Sequence, residues 1–200
     1  MIKNLAIIGA GGHGKVVGDI ALLNNYENIS FFDEKFGQIK KNAFPFNIVG
    51  SLNNLKNCLN DFDAFFVAIG NNISRYNNIK WLKKENLNLI TLIHPTSSIS
   101  KFSSVGVGAC VMANAVINAG SLIQDGVIIN SSASIDHDCI IKDYAHVSPN
   151  CSLSGNVEVG KFSHLGTGTI VHPGIKIGNN VKTAIGTKIY KDTLDNQILK

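Results

Sequence analysis

The tripeptide Asp136-His137-Asp138 contains the residue types that proton transfer requires. An imidazole titrates near neutral pH and can remove a proton from an attacking nucleophile. A carboxylate next to it in the chain can orient the ring and raise its basicity. The triplet therefore contains a candidate general base, His137, beside carboxylates that could orient it. The alternative is that an exposed Asp-His-Asp loop is only solvated.

A glycine-rich loop near the start of the chain has the spacing of a phosphate-binding turn. Gly9, Gly11 and Gly14 fit the pattern G-x-G-x-x-G behind the apolar run "LAIIG", and Asp33 follows 19 residues after Gly14. This is the dinucleotide fingerprint, which predicts a nicotinamide-dependent reductase. Backbone N–H groups at a helix N-terminus serve the phosphate of any nucleotide, however, and Asp33 or Glu34 could accept from a ribose or a base. A plain strand-to-helix turn is the third interpretation.

A strict repeat of six residues occupies the second half of the chain. From Ile93 to Ile177 every sixth residue is Val, Ile or Leu. Neither a helix nor an alternating strand has this period, which is typical of a parallel β-helix built from hexapeptide repeats. Three hexads make one coil, so the repeat predicts about five coils. We expect the repeat to end where Thr183 takes an aliphatic position.

The first 92 residues have a different pattern. Apolar strands such as "LAIIG", "ISFFD" and "DAFFVAIGN" alternate with the helical segments "GKVVGDIALLNN" and "SRYNNIKWLKKEN". Such alternation is typical of an α/β domain with a parallel sheet. We therefore predict a Rossmann-like domain over residues 1–92 and a β-helix domain over residues 93–200.

Composition narrows the functional classes. A net charge of +4 and a pI near 8.8, with scattered lysines, indicate neither nucleic acid nor a membrane surface as a partner. The first apolar stretch is too short for a membrane span or a signal peptide, so we expect a cytoplasmic protein. The four cysteines lack C-x-x-C spacing, and the histidines follow no metal-ligand pattern, so no metal is predicted.

Five segments in this order resemble one family: "IIGAGGHGKV", "AIGNN", "LIHPTSSIS", "IDHDCII" and "YAHVS". They look like the NeuD/PglD-type sugar acetyltransferases, whose β-helix is left-handed. The resemblance implies acetyl-CoA as co-substrate and a homotrimer with active sites between subunits. The branch that it favours acetylates the 4-amino group of a UDP-linked 4-amino-4,6-dideoxy sugar. O-acetylation of sialic acid or a related sugar is the alternative, and a non-catalytic scaffold is the alternative from another class.

The resemblance also implies roles for individual residues. By resemblance, His137 is the general base and Asp138 is its acidic partner, at a position where the family often has Glu. His146 is the residue that contacts the thioester carbonyl of acetyl-CoA. The implied contacts to the nucleotide sugar are Gly11, Gly12, His13, Asp33, Glu34, Gly70 and Asn130. The implied contacts to CoA are His146, Gly155, Gly166, Thr167 and Ile185. Because His146 follows His137 by half a coil, the two lie on opposite sides of one prism and can cooperate only between subunits.

Overall fold

The computed structural model describes residues 3–38 and 45–200. The chain divides into two compact units, Met1–Leu92 and Ile93–Lys200. Within the described residues, no helix is long and apolar enough to cross a membrane.

The first unit is a parallel α/β layer. In the residues that the structure describes, its sheet has the strand order β3-β2-β1-β4, with all pairs parallel. The strands are β1 (Asn4–Ile8), β2 (Asn28–Phe32), β3 (Ile48–Gly50) and β4 (Ala64–Val67), and the helices are α1 (Gly12–Leu23), α2 (Leu52–Lys56) and α3 (Asn72–Lys84), with a 3₁₀ turn at Leu59–Asp61. Strands β1 and β4 are buried almost throughout, as is usual for strands of a parallel sheet that is covered on both faces.

The second unit is a β-helix of two-residue strands that form three parallel sheets, all within described residues. The first sheet contains β5 (Leu92–Ile93), β8 (Cys110–Val111), β11 (Ile128–Ile129), β14 (His146–Val147), β17 (His164–Leu165), β20 (Lys182–Thr183) and β22 (Ile198–Leu199). The second contains β6 (Ser98–Ile99), β9 (Val116–Ile117), β12 (Ser134–Ile135), β15 (Ser152–Leu153), β18 (Ile170–Val171) and β21 (Lys188–Ile189). The third contains β7 (Ser104–Val105), β10 (Leu122–Ile123), β13 (Ile140–Ile141), β16 (Glu158–Val159) and β19 (Lys176–Ile177).

Neighbouring strands in each sheet pair residues that are eighteen apart in sequence, except that Lys182 of β20 pairs with Ile198 of β22, sixteen residues later. Ile128 pairs with His146 and His146 with His164, for example. The aliphatic residue of each hexad points into the prism, where Ile117, Ile129 and Ile135 are 1% exposed or less. Burial of such side chains stabilises the fold by about 1.5–3 kcal/mol each. The predicted fold class is confirmed.

The predicted end of the repeat at Thr183 is wrong. Strands β20, β21 and β22 carry the prism on to Leu199, so it is longer than the five coils that we expected. Thr183 is tolerated because its hydroxyl accepts from the Gly166 N–H at 2.8 Å and lies 2.7 Å from the Thr169 hydroxyl. The aliphatic period fails there because a satisfied pair of threonines replaces apolar contact.

Candidate active site

His137 and Asp138 lie on the corner between β12 and β13 and form a direct pair. Nδ1 of His137 is 2.8 Å from Oδ2 of Asp138. Asp138 has φ = 58°, in the left-handed region where Asp is one of the better tolerated residues. Although Asp is shorter than the Glu that the family often has, the Asp138 carboxylate is within hydrogen-bond distance of the imidazole.

The electrostatics of this corner favour a basic imidazole. The pKa of His137 is raised by its hydrogen bond to Asp138 and, secondarily, by the charge of Asp136. With Nδ1 committed to Asp138, the lone pair of the neutral ring is on Nε2. The side chains are 55% and 59% exposed, so the ion pair adds little to stability. Its value is in orienting Nε2 and raising its basicity.

Two glycines make room for this pair. A Cβ placed on Gly155 would lie 2.5 Å from both Cε1 and Nε2 of His137, and a Cβ on Gly120 would collide with Oδ1 of Asp138. Gly155 lies eighteen residues after His137, and Gly120 eighteen residues before Asp138, so each occupies the adjacent corner of the prism. The two glycines can be recognised in the sequence only by counting one coil, eighteen residues, backwards from Asp138 and forwards from His137.

His146 belongs to β14 and lies on a different sheet from the strands that flank His137. Its ring stacks on His164, with 4.5 Å between ring centroids and 13° between planes. Nε2 of His146 is 3.0 Å from Nδ2 of Asn130. His146 is buried, whereas the side chain of His137 is largely exposed.

The orientation of the Asn130 amide assigns the tautomer of His146. Oδ1 of Asn130 accepts the N–H of Ser131 at 2.8 Å, so Nδ2 is the atom that faces His146. Because Nδ2 only donates, Nε2 of His146 accepts, and the neutral ring carries its proton on Nδ1. The contact of Asn130 with a sugar nucleotide stays a prediction, and the structure gives this amide contacts to His146 and Ser131.

The residues predicted to contact CoA occupy several coils. Gly155 is buried beneath His137. Gly166 donates its N–H to the Thr183 hydroxyl, and its carbonyl accepts from Thr169, so both backbone groups bond within the prism. Thr167 is exposed, and Ile185 is 83% exposed. Thr167 and Ile185 are thus the more accessible of these predicted contacts.

In the first unit, the glycine loop leads directly into helix α1. Gly11 is the N-cap, and no side chain among the described residues caps this end of the helix. Gly11 and Gly12 are exposed, and a Cβ on either would meet nothing within 4 Å. The first N–H groups of α1 are therefore accessible to an anion such as a phosphate.

Asp33 fastens the glycine loop to the end of β2. Oδ2 accepts the Ala10 N–H at 2.7 Å, and Oδ1 accepts the Lys35 N–H at 2.8 Å. Its neighbour Glu34 is exposed. Both line a cavity of about 540 Å³ that also includes Ile8 and Asn78. Glu34 is thus the more accessible acid for a nucleoside.

His13 occupies the second position of α1, close to the buried Arg75. Burial, and secondarily the charge of Arg75, lower the pKa of His13 to about 4, so the ring is neutral at pH 7. Its Nε2 is buried with no hydrogen-bond partner in the described structure. Arg75 donates to the carbonyls of Ile69 and Gly70 at 3.0 and 3.1 Å, which holds the loop containing Gly70.

The structure thus forms two groups of predicted residues, one in each unit. His137 pairs with Asp138 above Gly155, whereas Gly11, Gly12, His13, Asp33, Glu34 and Gly70 belong to the loops around α1 and β4. Sequence reasoning missed Gly120, Arg75 and the bond between Asn130 and His146. Across residues 3–38 and 45–200, no group of three or more His, Cys, Asp or Glu residues could hold a metal ion.

One family model and one curated relative match parts of this chain. The family model described as the PglD N-terminal domain matches residues 4–82. UDP-N-acetylbacillosamine N-acetyltransferase of Bacillus subtilis is 36% identical over 114 residues, which are 56% of this chain and 52% of that protein. The match thus spans about half the length of this curated relative.

Solved structures match over nearly the whole chain. The acetyltransferase domain of PglB from Neisseria gonorrhoeae has a TM-score of 0.92 at 37% identity, covering 98% of this chain and 95% of that one. PerB from Caulobacter crescentus, solved with CoA and GDP-perosamine, has a TM-score of 0.90 at 32% identity, covering 99% and 94%. These matches confirm the predicted family and the predicted class of enzyme, an acetyltransferase. The chain belongs to the NeuD/PglD-type family of sugar acetyltransferases.

Proposed function

We propose that the protein transfers the acetyl group of acetyl-CoA to the 4-amino group of a UDP-linked 4-amino-4,6-dideoxy sugar. The observation that carries the proposal is the His137–Asp138 pair, with Nδ1 held by the carboxylate at 2.8 Å and Nε2 available as a base. Similarity to an enzyme named for UDP-N-acetylbacillosamine supports a UDP-linked acceptor, and the PglB domain has been solved with acetyl-CoA.

In the proposed reaction, Nε2 of His137 removes a proton as the amine attacks the thioester carbonyl carbon. A C–N bond forms and the carbonyl oxygen becomes an oxyanion, for which His146 is the proposed hydrogen-bond donor. The intermediate collapses by breaking the C–S bond, and the CoA thiolate takes the proton from His137. The acetyl group therefore moves directly, with no acetylated side chain on the protein.

The acceptor binds in the first unit. Its pyrophosphate lies against the N-terminus of α1 at Gly11 and Gly12, and its nucleoside lies in the cavity beside Asp33 and Glu34. His13 is neutral and adds hydrogen bonding rather than charge. Gly70 and Asn130 stay predicted contacts to the acceptor, as do Gly155 and Gly166 to CoA. Thr167 and Ile185, which are exposed, are the proposed CoA contacts that the fold leaves accessible.

A thiol-release assay tests the reaction. Acetyl-CoA is supplied with UDP-linked 4-amino sugars, the GDP-linked 4-amino sugar GDP-perosamine, free sialic acid or CMP-sialic acid. We expect release with a UDP-amino sugar and near-complete loss in His137→Ala, with folding checked by thermal melting. Thiol release with sialic acid alone would show that the enzyme is an O-acetyltransferase instead. Full activity of His137→Ala would show that His137 is not the general base.

The active site is completed between subunits of a homotrimer in this proposal, because His137 lies on the corner between the second and third sheets of the prism, whereas His146 belongs to the first sheet. Co-expression of differently tagged His137→Ala and His146→Ala chains tests it. A mixed oligomer purified through both tags contains interfaces with both histidines intact, so we expect activity that neither parent has. Equal inactivity of the mixed oligomer and its parents would contradict the shared site.

A further inference from the structure

Ser121 is a buried polar residue inside the prism, 1% exposed, at the fifth position of its hexad. Most equivalent positions hold apolar or sulfur-containing residues, such as Ala115, Ala133, Cys139 and Ala145. Because alanine occupies the fifth position of several other hexads, such as Ala115 and Ala133, a hydroxyl is not required for packing at this position of the repeat. A buried hydroxyl must instead be explained by its hydrogen bonds.

Those hydrogen bonds join the two ends of the His137 corner. Oγ of Ser121 donates to the carbonyl of Asp136 at 2.6 Å and accepts the N–H of Cys139 at 3.0 Å. Residues 136–139 are thus held at both ends by one side chain of the preceding coil. Asn118 adds a third bond, from Nδ2 to Oδ1 of Asp136 at 3.0 Å.

Cys139 repeats the arrangement one coil further on. Its Sγ lies 3.3 Å from the carbonyl of Ser154 and accepts the N–H of Val157. Burial raises the pKa of the Cys139 thiol, so the group keeps its proton and can donate. The corner that Cys139 holds contains Gly155, on which the His137 ring rests. Ser121 and Cys139 therefore hold, in succession, the base and the surface beneath it.

We infer that Ser121 is a positioning residue that sets the geometry of the His137–Asp138 pair through the backbone of residues 136–139. The inference deepens the proposed function and rests on it for its catalytic consequence. Ser121 lies inside the prism, so it acts through its two backbone bonds rather than on the reacting atoms. The charges next to the imidazole are Asp136 and Asp138, and the adjacent corners present the uncharged Gly120 and Gly155.

The chain contains a matched control at Ser163. Oγ of Ser163 donates to the carbonyl of Gly178 at 2.7 Å and accepts the N–H of Val181 at 2.9 Å, the same pair of bonds as at Ser121. The corner at residues 178–181 has no role in the proposed reaction. The Ser163 carbonyl accepts from the His146 N–H, and an alanine variant retains this bond.

The experiment compares Ser121→Ala with Ser163→Ala. Both lose the same two buried bonds, so we expect similar decreases in melting temperature. In Ser121→Ala we expect kcat to fall about tenfold or more, because small displacements of a catalytic group are costly. In Ser163→Ala we expect kcat within about twofold of wild type. Ser121→Cys should restore most of the activity, since Cys139 makes the same bonds, and it is the variant to use if Ser121→Ala does not fold.

NMR titration of the His137 ring supplies a readout that a purely structural role would not move. We expect the pKa of His137 to fall toward its ordinary value in Ser121→Ala and to stay unchanged in Ser163→Ala. Equal pKa values and equal kcat in the two alanine variants would overturn the inference. If the wild-type protein releases no thiol, the proposed function fails, and the titration still decides whether Ser121 sets the His137–Asp138 pair.

Discussion

The imidazole of His137 lies directly over Gly155, where a Cβ would come within 2.5 Å of Cε1 and Nε2. In Gly155→Ala we therefore expect the ring to be displaced and kcat to fall about tenfold to a hundredfold, with the fold intact. Steady-state kinetics and thermal melting measure the two effects. The double variant with His137→Ala is the control, because without the ring the added methyl should cost nothing more. Additive losses in kcat would show that Gly155 acts independently of His137.

The carboxylate of Asp138 should set the pH dependence of the reaction. Its hydrogen bond raises the pKa of His137, and the protonated ring cannot act as a base. Activity should therefore rise with pH through a midpoint above the ordinary pKa of histidine, about 6.5. In Asp138→Asn we expect this midpoint to move to lower pH and the maximal kcat to fall.

Profiles of kcat/KM against pH measure that midpoint in the free enzyme. Asp143→Asn is a suitable control, because Asp143 pairs with Lys161 on another corner. An unchanged midpoint in Asp138→Asn would contradict the role of Asp138.

The hydrogen bond from Asn130 should keep the His146 proton on Nδ1. In Asn130→Asp both side-chain oxygens accept, so the ring must carry a proton on Nε2 to retain the bond. We expect kcat to fall about tenfold if Nδ1–H is the donor to the oxyanion. Proton–nitrogen correlation spectra report which ring nitrogen is protonated. Asn114→Asp, on an exposed corner, is the control and should change neither kcat nor the protonated ring nitrogen of His146. If Nδ1 of His146 still carries the proton in Asn130→Asp, the hydrogen bond from Asn130 does not set the tautomer.

The glycines of the first loop divide into two groups that substitution can separate. A Cβ on Gly11 or Gly12 meets nothing in the protein, whereas one on Gly14 would collide with the carbonyl of Gly9. We therefore expect Gly12→Ala to keep or slightly raise the melting temperature and Gly11→Ala, at the N-cap, to change it little, while both raise KM for the nucleotide sugar about tenfold or more. Gly14→Ala should lower the melting temperature. An unchanged KM in Gly11→Ala and Gly12→Ala would show that this loop does not bind the pyrophosphate of the nucleotide sugar.

The sequence predicted the fold well because the hexad period is imposed directly by coil geometry. Nearly every strand of a coil places an aliphatic residue inside the prism, so the six-residue period is visible in the sequence. The end of the repeat was predicted wrongly at Thr183, because a hydrogen bond between threonine side chains there replaces an aliphatic contact. A search for apolar residues at a fixed period does not detect such a bond.

The site was predictable only in part. The Asp-His-Asp triplet is local and could be read directly, whereas the bond of Asn130 to His146 joins residues sixteen apart and depends on amide orientation. Burial of His13 and the double use of the Asp33 carboxylate follow from packing of the loops around α1. A motif fixes which residues are present, but not which of their atoms are already bonded.

The pairing of residues eighteen apart also limits how this chain can change in length. Loss or gain of one residue between Gly120 and Gly155 would place a different side chain against His137 or Asp138. Beyond Gly155, a whole coil could be inserted or removed without altering any contact of that pair. Relatives with longer or shorter prisms should therefore differ near the C-terminus, where this chain itself pairs Lys182 with Ile198 only sixteen residues later, while the spacing from Gly120 to Gly155 stays constant.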